Sequence, residues 1–296
     1  MNNTEFKLNE LKPVELADNP RVKDSFVNTL VKIHRMEEPN AEAIYNREAL
    51  YYKKAIIGSE KLKNCTNISL YSAFLEIAIT GLSIQPGGKS EAYLESRGTK
   101  QQDGSYINTA SLVVTAYGEL AMRIRNGQLE RMSNPQIIYK EDIFQPRTNE
   151  RGDLTVDYRP NIPRKSNEII GCYVCLVLPK DQRDFKWLLQ DDIARLMKYS
   201  ERGMGGKANA LYSANSGQID PGFLEAKTIK HAMRTLPKLR TSENVVIEGD
   251  DEPINGMQDF EAHTANPING EDTGTSPVSQ TTQSTSITVE DNEDLF

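Results

Sequence analysis

The apolar positions of the first eighty residues recur at helical spacing. In NPRVKDSFVNTLVKIHRM, Val22, Phe26, Leu30 and Ile33 fall three and four apart, which predicts a helix from Asn19 that Pro39 interrupts. Ala41 to Ile57 repeats the period through Ile44, Ala49, Tyr52 and Ile56. Ser69 to Thr80 is apolar nearly all round, carries one charge at Glu76 and stops at Gly81, a suitable left-handed cap, so this helix is expected to be buried. After QPGGK the period falls to two: EAYLES and INTASLVVTAY, on either side of Asp103 and Gly104, predict a hairpin. GELAMRIRNG predicts a short helix closed by Gly127. Further strands are expected at Pro135 to Tyr139, Leu154 to Tyr158, Ile169 to Leu178 and Phe185 to Leu189. DDIARLMKYSER, acidic at its start and basic near its end, predicts a helix that runs into a mobile loop, GMGGKANALYSANSGQ. Asp220 and Pro221 form an N-cap and first-turn proline for a helix over Gly222 to Leu236, which Pro237 stops. The expected fold class is α+β. A helical N-terminal segment (1–66) precedes a core (67–240) in which a central, mostly antiparallel sheet is flanked by helices.

Beyond Thr241 the periodicity ends. Ser, Thr, Asn, Gln, Gly and acids dominate, a composition that buries too little apolar surface to offset chain entropy, so 241–296 is expected to be a disordered tail. This tail changes the meaning of the charge. The whole chain is formally −7, which argues against a polyanionic partner. Of the 42 Asp and Glu, however, 13 lie in 241–296 with no Lys or Arg, which leaves 29 acids against all 35 basic residues in 1–240, a net +6. An asymmetry of this kind points to polyanion binding by the body. No run approaches the ~18 apolar residues of a membrane span, and MNNTEFKLNE lacks the plan of a signal peptide. Three cysteines do not make a disulfide framework. The expectation is a soluble protein of a reducing cytoplasm, without a membrane partner.

Two groups of cations stand out. On the last helix Lys227, Lys230 and Arg234 share one face, with Phe223, Ala226, Ile229, Met233 and Leu236 mainly on the other. Such a stripe is either a track for a phosphate backbone or an ordinary solvated face. Around the hairpin and the helix after it lie Lys89, Arg97, Lys100, Tyr117, Arg123, Arg125 and Arg131, with Tyr93 and Tyr106 interleaved. Rings between cations suit single strands, although tyrosines in strands more often simply pack.

Enzyme signatures fail. GMGGK (203–207) resembles the end of a phosphate-binding loop, but Ala208 replaces the required Ser or Thr. Cys172 and Cys175 fall in a strand, three apart and on opposite faces, which suits packed thiols better than a metal pair. The histidines, 34, 231 and 263, are scattered, so neither a triad nor a metal cluster can be assembled. Glu225 and Lys227 make the ExK of some nucleases, but on a helix. No catalytic residue, metal or cofactor is expected.

The order of elements over Asn19 to Leu239 resembles the RecT and Redβ family of phage single-strand annealing proteins. The resemblance is carried by NPRVKDSF, by LKNCTNISLYSAFLEIAITGLSIQP, by TAYGELAMRIRNGQLE with Ala116 and Glu119 departing from the family pattern, by IIYKEDIF, and by FLEAKTIKHAMRTLPKL, where Ala226 and its neighbours replace the usual methionine. It implies ATP-independent single-stranded DNA binding and annealing of complementary strands in phage-type homologous recombination and repair. It also implies homo-oligomers, as rings or helical filaments, a phage exonuclease and a host single-strand-binding protein as partners, and the bacterial cytoplasm as location. The DNA-contact residues carried over are Tyr117, Arg123, Arg125, Lys227, Lys230 and Arg234. The alternatives are a passive single-strand binder and a prophage scaffold that does not bind DNA. EDNEDLF (290–296) is similar to the acidic, phenylalanine-ended tip by which bacterial single-strand-binding proteins recruit partners.

Overall fold

The computed structural model describes residues 8–100, 104–150, 152–203, 206–239 and 245–247, with the side chains of 9, 99, 100 and 203 excepted. All of them lie within one unit, Met1–Gly256. Asp103 and most of the expected disordered tail fall outside the described residues.

Helix α1 (Pro20–His34) opens on Pro20 with the Asn19 side chain accepting from the Arg21 amide, and ends where Arg35 turns left-handed at φ 53°. Pro39 sits in the first turn of α2 (Glu38–Gly58), and Ser59 caps the single turn α3 (Glu60–Lys63). The Thr66 hydroxyl accepts from the Ser69 amide to start α4 (Asn67–Thr80), which Gly81 closes at φ 64°. As expected, α4 is buried. Phe74 at its centre meets the rings of Phe26, Tyr45 and Tyr52 at centroid distances of 4.8 to 6.1 Å. Ile33, expected on the buried stripe of α1, is instead 52% exposed. Glu48 is fully buried on α2, accepting from the Ser83 hydroxyl at 2.8 Å, the Ile84 amide at 3.0 Å and Arg47 Nε at 2.8 Å. The loop leaving α4 is thereby pinned to α2.

The strands form three sheets rather than one. β1 (Ala92–Lys100) and β2 (Tyr106–Val114) make the expected hairpin, and their inner residues Ala92, Ala110, Leu112 and Val114 complete the core of α1, α2 and α4. The second sheet is centred on β7 (Ile169–Leu178). Two short strands, β3 (Arg131–Met132) and β4 (Gln136–Tyr139), share one antiparallel edge of β7, and β8 (Gln182–Leu189) takes the other. Between β3 and β4, Ser133 keeps the edge paired. Its amide donates to the Cys175 carbonyl and its hydroxyl accepts from the Cys175 amide, both at 2.9 Å, just before Pro135, which has no N–H to offer. β5 (Ile143–Thr148) and β6 (Leu154–Arg159) form a separate two-stranded ribbon.

Helix α5 (Ala116–Arg125) leaves β2 under a Thr115 cap, and α6 (Gln190–Gly203) leaves β8. α7 (Pro221–Met233) starts at the expected Asp220 cap, whose carboxylate accepts from the Phe223 amide at 2.9 Å, and ends one turn earlier than expected. The loop before it, expected to be mobile, is anchored by Tyr212, which is buried edge-on against Phe223 at 5.1 Å. The tail also departs from expectation at one place: Val245–Ile247 forms β9, parallel to β2 with Val245 opposite Leu112. Two of its three side chains are buried, which a polar composition around them conceals.

Candidate nucleic-acid interface

Helices α5 and α7, with Arg234 at the C-cap of α7, carry the six residues expected to contact DNA, and the two helices pack against each other. Gly118 sets α5 against the segment that enters β1: a Cβ there would lie 2.0 Å from the Glu91 carbonyl oxygen, so only glycine lets α5 approach that backbone. The next residue, Glu119, is the hub of a buried ionic triad. One carboxylate oxygen takes Arg123 Nε at 2.8 Å and Nη2 at 2.6 Å, and the other takes Lys230 Nζ at 2.9 Å from α7. Arg123 Nη1 also donates to the Pro237 carbonyl at 2.8 Å and to Gln128 Oε1 at 2.6 Å. Glu119, Arg123 and Lys230 are 4, 4 and 8% exposed.

This corrects the reading of the cationic stripe. Lys230 does not share an exposed face with Lys227 and Arg234; it points into the α5–α7 contact. Arg123, expected on DNA, is likewise buried. Both cations pair with the one Glu119 carboxylate, which offsets one of their two charges, and the remaining Arg123 donors are satisfied by Pro237 and Gln128. The helix is buried on most of its circumference, at Leu224, Thr228, Ile229, Ala232 and Met233 as well as Lys230. Thr228 donates its hydroxyl to the Leu224 carbonyl at 2.8 Å and packs.

The other four expected residues lie nearer the surface. Arg125, exposed at the end of α5, donates to the carbonyls of Thr80 and Gly81, where a cation complements the C-terminus of α4. Tyr117 is half-buried, with Lys89 Nζ 5.5 Å above its ring; burial, then the charge of Glu225, pushes its hydroxyl above the usual range. Lys227 lies 5.2 Å over the ring of Phe223. Arg234 caps the end of α7 and is part-exposed. α5 and α7 thus each carry a cation–ring pair, Lys89–Tyr117 and Lys227–Phe223.

The opposite face of the second sheet holds a constellation that the sequence reading touched only at Arg131 and Cys175. Alternation sends Cys172, Val174 and Leu176 of β7 toward α7 and Tyr173, Cys175 and Val177 to the other side. There the register aligns three rows across the strands: Arg131–Val177–Arg183, Ser133–Cys175–Phe185 and Gln136–Tyr173–Trp187. The ribbon covers the last row, with Phe144 5.4 Å from Tyr173 and 5.7 Å from Trp187, and Tyr158 5.3 Å from Tyr173. The first two rows, with Gln136 and Tyr173 of the third at one end, line an open furrow of about 420 Å³. The signal that would have found it is the period of two in RDFKWLL, which places Arg183, Phe185 and Trp187 on one face.

The two strand cysteines face opposite sides, as their spacing predicts, and burial pushes the Cys172 thiol up to about 12. Among the described residues no group of three or more His, Cys, Asp or Glu could hold a metal ion, and no helix is long and apolar enough to cross a membrane.

No curated protein matches the chain. Residues 48–213, more than half of the 296, match the RecT family, a stretch that runs from within α2 through α5 and the second sheet to the Tyr212 anchor and stops short of α7. With this match over that much of its length, the chain belongs to the RecT family of single-strand annealing proteins.

Proposed function

We propose that this chain binds single-stranded DNA and anneals complementary strands without nucleotide hydrolysis, in phage-type homologous recombination. The family match over 48–213 carries this reading, and the net +6 of residues 1–240 supports it. Annealing asks for no bond chemistry. It asks for a surface that neutralises the phosphates of one strand and leaves its base edges open to a second. On the α5–α7 side we assign strand contact to Tyr117, Arg125, Lys227 and Arg234, together with Lys89. Arg123 and Lys230 act as positioning residues, holding the two helices together through Glu119.

The reading extends to a homo-oligomer, ring or filament, to an exonuclease that supplies the single strand, to a host single-strand-binding protein, and to the bacterial cytoplasm. We treat 1–66 as the helical part of the annealing body, 67–240 as its DNA-binding core, and the acidic stretch 241–296 as a separate functional segment. The test mixes two complementary oligonucleotides with the full chain and no nucleotide, and follows duplex formation. Pairing faster than the protein-free rate is expected. Strand protection without faster pairing would make the chain a passive binder, and no salt-dependent affinity would leave only a scaffold.

A further inference from the structure

We propose that the furrow on the open face of β3, β7 and β8 is a second subsite for single-stranded DNA, in which a base stacks on Phe185 and neighbouring phosphates pair with Arg131 and Arg183. The inference rests on the single-strand reading above and adds a surface on the side of the sheet away from α5 and α7. Three observations carry it. First, the two arginines occupy one cross-strand row on either side of Val177, about two strand spacings apart, roughly 10 Å, with the ring of Phe185 in the adjacent row between them and the ribbon. Cations flanking an aromatic face suit a single strand, because phosphates and base faces are what an unpaired strand presents regardless of sequence. Second, both arginines are exposed, and the fold makes little use of their charge. Among the described residues Arg183 has an ion pair only with Asp181 at 3.7 Å, an exposed pair of little strength, and Arg131 has none. Their contrast is Arg123, which is buried and bonded on every side. Third, the furrow floor is preformed: Phe144 and Tyr158 of the ribbon hold Tyr173 and Trp187 in place beside it, so little ordering is left for the DNA to drive. Toward the ribbon tip the furrow continues into a second hollow lined by Asp153 and Asp181. Those acids repel phosphate, which places the strand on the Arg131 side.

The test uses the full chain and an oligothymidylate. Trp187 is the chain's one tryptophan and adjoins the furrow, so its emission reports directly on occupancy. Affinity is measured by anisotropy of the labelled oligonucleotide over a range of salt. In R131Q/R183Q the slope of log affinity against log salt should fall by about 1.4, since each single-strand phosphate contact contributes about 0.7. F185L should weaken binding roughly 5- to 150-fold at every salt concentration, the loss of one stacked base. In the wild type, Trp187 emission should change as the oligonucleotide saturates. If the wild type binds and both variants match it in affinity and slope with Trp187 unmoved, the furrow is not a DNA site and the annealing reading survives. If the wild type itself shows no salt-dependent binding, the furrow and the annealing reading fall together. Unchanged circular dichroism of R131Q/R183Q, whose side chains are exposed, separates lost binding from lost fold.

Discussion

The α5–α7 contact and the open face of β7–β8 use the same residue types in opposite ways. At the contact, Arg123 and Lys230 are buried and share one carboxylate across 111 residues of sequence. On the open face, Arg131 and Arg183 stand in solvent above a floor of rings. A basic residue on a helix or strand is therefore not evidence of nucleic-acid binding until its own element's neighbours are known. In this chain the helical pattern that looks most like a phosphate track spends one of its cations, Lys230, inside the fold, while Arg131 and Arg183, on the strands either side of β7, are exposed.

The contrast is sharpest at Glu119. Glu119→Ala leaves two buried cations without their counter-charge and should cost about 3 to 5 kcal/mol in a denaturant titration. E119L/R123M/K230M removes all three charges together and should lose less than Glu119→Ala alone, because no unpaired ion is left behind. A triple variant that folds yet binds DNA normally would establish the triad as scaffold. One that folds and loses binding would return Arg123 or Lys230 to the interface and break the comparison. Next in size is Gly118→Ala. Its Cβ would meet the Glu91 carbonyl at 2.0 Å, so α5 must move, at a cost of about 1 to 3 kcal/mol read from the melting midpoint.

What could be read from sequence follows from which forces are local. Gly81 and Asp220 act on amides and dihedrals within a few residues, so the end of α4 and the start of α7 were legible, whereas the Thr66 cap starts α4 at Asn67, two residues before the expected Ser69. The run Ile169 to Leu178 is apolar throughout, and its length and β-branched content marked it as a strand with its observed bounds. The burial of Lys230 was not legible, because helical period tells which residues share a face and nothing about what covers that face; here the cover is α5, far away in sequence. β9 escaped because three residues set in polar sequence carry no period, and its reason to exist is the unpaired edge of β2. The furrow escaped because its rows come from three strands, each with one or two of the telling residues, and only register brings them together.

His231, on α7 within reach of β8 and α6, gives a smaller effect. Burial holds its pKa below the usual value of about 6.5, with Asp192 opposing and Arg234, Lys186 and Arg195 adding to the depression. The unfolded chain therefore takes up this proton first as pH falls. The contribution is fully present above about pH 6.5 and is lost on acidification toward the folded pKa. Denaturant midpoints at pH 7.5 and 5.5 should differ less in His231→Gln than in the wild type.

The smallest expected effect is the one that defines the open face. Arg183 is 57% exposed, with a partner only at 3.7 Å, and Arg131 is exposed on an edge strand. R131Q/R183Q should therefore keep the unfolding free energy of the wild type to within about 0.5 kcal/mol. The methylene stems survive the substitution, and an exposed ion pair contributes little. Equal stability combined with a flattened salt dependence of DNA binding would place these charges outside the fold's own needs. A loss of several kcal/mol would instead mean that the ribbon and the sheet are held together through Arg183, and the two regions would then differ in degree of burial rather than in kind.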